Sequence, residues 1–103
     1  MTEAGQTFEK AAQIQKDSLK EPDDAANTYI DAFKAYRKDD PQASARCLKY
    51  AIDRYCQKGN FRRAATYMEN MGELYENDLN DTKAAVESYE SAAGWFEGDN
   101  ANA

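Results

Sequence analysis

The stretch Met68-Glu69-Asn70-Met71-Gly72-Glu73-Leu74-Tyr75 decides the fold of this chain. Met68, Met71, Gly72 and Tyr75 recur at intervals of three and four, which places them along one side of an α-helix. Ala85, Tyr89 and Ala92 follow at helical spacing and line the matching side of a second helix. Large residues act as knobs there, while Gly72 and the alanines let a partner backbone approach. A glycine inside a helix costs about 1 kcal/mol relative to alanine, so a close-contact role is expected for Gly72 and for Gly94.

The same spacing echoes through the chain. Phe8-Glu-Lys-Ala11-Ala12, Leu48-Lys-Tyr-Ala51-Ile52 and Tyr89-Glu-Ser-Ala92-Ala93 are offset by 40 and 41 residues. Between them, Ala25-Ala26 and Ala64-Ala65 each begin eleven residues before a tyrosine, Tyr36 and Tyr75. In the preceding unit, Tyr29, Ala32, Phe33 and Tyr36 align with the Met68 to Tyr75 face, so Phe33 replaces the small residue at Gly72 and a looser pair is expected. A period near 40 with two helices per unit describes stacked helical hairpins.

Clusters of turn and capping residues divide the chain: Glu21-Pro22-Asp23-Asp24, Asp39-Asp40-Pro41, Lys58-Gly59-Asn60 and Asn77 to Asp81. Pro22 and Pro41 suit a first helical turn, where a missing N–H costs nothing. Five helices are expected, at about 3–18, 22–38, 41–57, 60–78 and 81–97, within a single domain spanning 1–103, with residues 98–103 fraying. Five helices make two and a half hairpins, near the minimum for a stable stack, so marginal stability or self-association through the terminal faces is expected.

Composition excludes several classes. The chain has 42% hydrophobic and 31% charged residues, a globular balance with too much apolar content for a disordered tail. No run approaches a membrane span, and no secretory signal follows Met1. Cys47 and Cys56, nine residues apart on one expected helix, face opposite sides about 13 Å apart along the axis and cannot pair. Two thiols without a framework suit a reducing cytosol, where both read as small buried hydrophobes. Asn80-Asp81-Thr82 fits a glycosylation sequon but also a helix N-cap, the reading adopted here.

The net charge of −6 is segregated: −4 over residues 1–33, +6 over 34–63 and −8 over 69–103. The acidic total argues against nucleic acid, while a basic middle can meet an acidic protein surface. There is no histidine, no phosphate loop, no metal-spaced Cys/His set and no nucleophile beside a base, so no enzyme, metal or cofactor is expected. A peptide-binding co-chaperone module of the tetratricopeptide-repeat type is an alternative, holding a terminal carboxylate with cationic or amide side chains. Glu69 and Glu73 stand at the positions that would supply them and would repel such a ligand.

The helical hairpins resemble tetratricopeptide repeats with a longer period than the usual 34 residues. More specifically, "GNFRRAATYMENMGELYENDLNDTKAAVESYESAAGWFEGD" is similar to the soluble NSF attachment proteins, the α-SNAP adaptors of membrane fusion, particularly their fungal-type members. Gly59-Asn-Phe61, Ala64-Ala65, the run from Gly72 to Asp81 and Ala92-Ala93-Gly94-Trp95-Phe96 carry the resemblance, with "DDAANTYIDAFKAYRK" and "FEKAAQIQKD" fitting in order before them. It implies an all-α, TPR-like stack of antiparallel hairpins coiled into a right-handed superhelical solenoid, here the early-to-middle part of a longer adaptor. It further implies a non-catalytic cytoplasmic protein, peripheral to membranes, that binds the SNARE complex and recruits the AAA+ ATPase NSF. The N-terminal apolar loop that touches membrane and the C-terminal region that contacts NSF would lie outside this chain.

The resemblance also gives a reason for an oddity. Arg62 and Arg63 open a helix, where the macrodipole disfavours cations. The family presents basic side chains to the acidic SNARE bundle near this turn, which makes Arg62 and Arg63 the expected contacts and Arg46 and Lys49 weaker candidates. Thr66 stands where animal members tend to have a lysine.

Overall fold

The computed structural model describes the backbone of residues 3–17 and 22–102 and the side chains of residues 3–17 and 25–98. Five helices follow one another: α1 Glu3–Asp17, α2 Pro22–Tyr36, α3 Pro41–Gln57, α4 Phe61–Asn77 and α5 Thr82–Asn102. No strand occurs among the described residues. Each helix packs chiefly on its neighbours in sequence, giving a slab of 39 × 36 × 14 Å. The fold is the all-α hairpin stack expected; the turn between α1 and α2, residues 18–21, lies outside the described residues.

Side chains in the turns set the helix boundaries. The Asp40 carboxylate accepts from the Ala43 N–H at 3.1 Å, with Pro41 opening α3. At the other end of α3, Gly59 takes φ +78°, the Gly59 N–H reaches the Cys56 carbonyl and the Asn60 N–H reaches that of Tyr55. That double bond is a Schellman cap, which needs a left-handed residue and so a glycine. Asn60 then caps α4 by accepting from the Arg63 N–H at 3.4 Å. Asp81 caps α5 by accepting from the Ala84 N–H at 3.0 Å, which accounts for Asp81-Thr82 as a helix start. The expected stop near residue 97 is corrected: α5 continues through Gly98 to Asn102, because no proline interrupts it and weak helix formers alone do not end a helix.

The core runs continuously from Ala12 on α1 to Leu74 on α4, with Trp95 of α5 packed against it. α3 lies at its centre and buries Ala43, Ser44, Ala45, Cys47, Leu48, Ala51, Ile52 and Tyr55. Where Phe33 was expected to loosen the α2–α3 pair, the Ser44 hydroxyl donates to the Phe33 carbonyl at 2.8 Å. Even so, α2 and α3 touch less extensively than α4 and α5, the looser pairing expected where Phe33 replaces the small residue.

Gly72 has the expected close-contact role, since a Cβ there would lie 2.8 Å from the Tyr89 ring. Gly94 does not; nothing approaches within 4 Å of its would-be Cβ. Gly5, which the repeat pattern missed, sits 2.7 Å from the Tyr36 ring by the same measure. Consequently α1 docks through Gly5, Glu9 and Ala12 and leaves Phe8 40% exposed, so of the first echo of the repeat only Ala12 enters the core and its large residue does not. Ile14 at 65% and Val86 at 48% are apolar and exposed on the two outermost helices. Cys47 is fully buried and Cys56 partly so, both unpaired; burial pushes the Cys47 thiol up to about 12, which keeps it an unreactive core residue.

Candidate protein-binding surface

The α3–α4 turn projects a short cationic segment. Lys58, Gly59, Asn60, Phe61, Arg62 and Arg63 are all exposed in succession. α4 has no acidic residue in its first turn, so the Asn60 cap alone answers its N-terminal dipole, and the arginines stand against it. Behind them is a rigid aromatic base. Tyr55 stacks on Tyr67 with ring centroids 5.7 Å apart, and the Tyr55 hydroxyl donates to Asn27 on α2 at 2.9 Å. The Arg63 guanidinium rests over the Tyr55 ring at 5.5 Å, a cation–π contact that fixes its position. Burial raises the Tyr55 hydroxyl pKa, and the Arg63 charge partly opposes that rise.

Arg63 shares a cleft of ≈190 Å³ with Asn27, Arg54, Tyr55, Lys58 and Asn60. Three helices contribute: α2 gives Asn27, α3 gives Arg54 and Tyr55, and α4 gives Arg63. Sequence reasoning missed Arg54 and Lys58. They are one helical turn apart at the end of α3, and only the Schellman turn brings them opposite the start of α4.

Lys49 and Arg46 lie elsewhere. Lys49 lines a groove between α3 and α5 floored by Met68, Met71 and Tyr75 of α4, and both residues line an adjoining groove with Tyr75, Leu79 and Asp81. Arg63 thus lines one cleft while Arg46 and Lys49 line grooves on another side, and Arg62 stands exposed beside Arg63 without lining any of these, so the structure does not bring Arg46 and Lys49 to Arg62 and Arg63.

Arg46 also has a partner. Its Nε and Nη2 donate to the two carboxylate oxygens of Glu9 at 3.0 and 2.9 Å, while the Tyr36 hydroxyl donates to the same carboxylate at 2.8 Å. This bidentate pair ties α1, α2 and α3 together. The Arg46 hydrogen bonds lower the Glu9 pKa, burial opposes them, and Tyr36 adds to the lowering. Arg46 is half exposed at 52% of its side chain, yet its charge is compensated inside the fold.

Comparison with known proteins identifies the slab. The family model described as soluble NSF attachment protein, SNAP, matches residues 1–103. The chain belongs to the SNAP family. It is 53% identical over 100 residues to a probable vesicular-fusion protein sec17 homolog of Neurospora crassa, covering 97% of this chain and 34% of that protein. A Schizosaccharomyces pombe sec17 homolog is 48% identical over 100 residues, with the same coverage of each chain. Human alpha-soluble NSF attachment protein is 37% identical over 99 residues, covering 96% of this chain and 33% of that protein. The SNAP chain described here thus spans about a third of the length of the curated relatives it matches.

Within this SNAP slab, α4 changes character along its outer side. Glu69, Glu73 and Glu76 follow Arg62 at helical spacing and are all exposed. Any acidic ligand is therefore attracted to the α3–α4 turn and repelled two turns further on, which restricts where it can dock. No group of three or more His, Cys, Asp or Glu residues suited to a metal occurs among the described residues. No helix of the described residues is long and apolar enough to cross a membrane.

Proposed function

We propose that this chain is part of an adaptor that binds the assembled SNARE complex and recruits the NSF ATPase for its disassembly, acting on the cytoplasmic side and at membranes only peripherally. Membership of the SNAP family supports the role, and one observation carries the site. The cap chemistry of the α3–α4 turn keeps Arg62 and Arg63 exposed, with Arg63 resting on the Tyr55–Tyr67 pair, and guanidinium groups at such a turn suit charge-assisted bonds to carboxylates. The ATPase would be engaged through parts of the adaptor beyond this segment.

Lys49 offers a second, weaker cationic contact on the α3/α5 groove, while Arg46 serves the fold. The co-chaperone reading is disfavoured by the exposed Glu69, Glu73 and Glu76 on α4, which would oppose a terminal carboxylate.

Immobilised chain should capture a purified four-helix SNARE complex at low salt, with binding fading as salt rises. Arg62→Glu with Arg63→Glu should weaken capture about ten-fold or more, as expected for losing two charge-assisted contacts. Equal capture by the double variant at low salt would overturn the assignment.

A further inference from the structure

Charge gives no role to Phe61, although it stands exposed at the α3–α4 turn. It opens α4 with 43% of its surface in solvent, between the Asn60 cap and the two arginines. Successive residues on a helix fan out by about 100°, so Phe61 and Arg63 face nearly opposite sides of the α4 N-terminus. Arg63 turns to Tyr55 of α3, while Phe61 turns to α5, where its ring centroid lies 6.5 Å from that of Trp95 with the planes tilted by 44°. Trp95 is half-buried and packs on the core from its other side. Gly98, one turn further along α5, and Gly94, just before Trp95, have nothing within 4 Å of where a Cβ would lie. Space therefore stays open beside the indole. The α5 surface itself draws no acidic ligand by charge, since its Glu87, Glu90 and Glu97 are exposed and Lys83 is its one cation.

We infer that Phe61 and Trp95 form an apolar seat beside the arginines, taking a side chain the size of leucine or methionine from an acidic helix of the partner. The partner's identity rests on the proposed function. The charges fix its orientation: carboxylates face the arginine side of α4, and the apolar residue faces α5. On the partner's helix, such a residue and a carboxylate stand three or four positions apart. Aromatic residues and arginine side by side are the composition of binding hot spots. Arginine supplies steering that salt screens, whereas burial at the seat supplies binding that salt does not weaken.

The test follows Trp95, the single tryptophan of the chain, as 5-fluorotryptophan by fluorine NMR of the whole chain with purified SNARE complex. Its resonance should shift on saturation; capture with an unmoved resonance overturns the seat. Phe61→Ala should weaken capture about ten-fold at low and high salt alike, whereas Arg62→Glu with Arg63→Glu should act mainly at low salt. Gly98→Leu introduces a better helix former that fills the space beside the indole, so a similar loss of capture there cannot come from a lost fold. Phe8→Ala on α1 is the control and should capture as the native chain does. Unchanged capture by both Phe61→Ala and Gly98→Leu overturns the inference, as does a resonance moved by phosphatidylserine vesicles and not by the SNARE complex. If the native chain captures no SNARE complex, the proposed function fails and a helical peptide decides the seat. One with a leucine a turn away from two glutamates should move the resonance, and its twin with asparagine for that leucine should not. An equal response to both peptides, or a response to neither, overturns the seat.

Discussion

Two hairpins of this slab use the same three residues in different surroundings. In α1–α2, Gly5 lies beneath the Tyr36 ring and the Tyr36 hydroxyl donates to Glu9, four residues after the glycine. In α4–α5, Gly72 lies beneath the Tyr89 ring and the Tyr89 hydroxyl donates to Glu76, again four residues on, at 3.2 Å. The first set is buried and clamped by Arg46 from a third helix; the second is exposed at the polar end and involves two helices only. Helical geometry explains the motif, because positions i and i+4 stack on one face and a tyrosine lying across the glycine reaches the next turn. The third helix turns a pairwise contact into a tertiary lock.

The comparison breaks most sharply at Arg46. Arg46→Ala removes the charged partner of the Glu9 carboxylate and should cost about 2–3 kcal/mol in urea unfolding; an effect below about 0.5 kcal/mol would show that the clamp is ornamental to stability. Next comes the glycine pair. Gly5→Ala should destabilise by about 2 kcal/mol and Gly72→Ala by about 1 kcal/mol, since overpacking must displace Tyr36 near its ring root but Tyr89 only toward its tip. Equal losses would mean that ring mobility does not separate the two sites.

Acid sharpens the same contrast. The depressed Glu9 pKa makes its contribution complete above the unfolded value near 4.5 and lost as pH falls through the lower folded value. Stability should therefore drop in that acidic window in the native chain, and less steeply in Glu9→Gln, as followed by helical circular dichroism. The smallest effects should come from the exposed hairpin: Tyr89→Phe should leave the melting temperature unchanged. Gly94→Ala, with open space around it, should raise stability by up to about 1 kcal/mol through helix propensity. A loss at Gly94 would point to a contact made in a self-associated form through the exposed α5 face, which sedimentation would detect.

The hairpin stack was legible because its signals are local or periodic. Asp40, Gly59, Asn60 and Asp81 announce turns through their own backbone preferences, and Met68 to Tyr75 repeats at helical spacing. Gly72 was legible for the same reason, since a matching tyrosine stood at the expected distance in the next helix. The Glu9–Arg46 pair was not, because it joins residues 37 apart with no pattern to single out either charge. Gly94 misled because a helical glycine has the same spacing whether or not a neighbour fills the space beside it. Of the site, Arg62 and Arg63 were visible as cations out of place at a helix start. Arg54 and Lys58 were not, since they read as ordinary surface residues until the left-handed Gly59 folds the turn back.

The structure's separation of the cationic candidates gives the most direct test of the adaptor reading. A photo-crosslinking residue placed at Thr66, one turn beyond Arg62 on α4, and separately at Asp53, beside Lys49 in the α3/α5 groove, would report which side meets the SNARE complex. The account predicts crosslinks from position 66 and few or none from position 53. Crosslinks from position 53 with none from position 66 would contradict it.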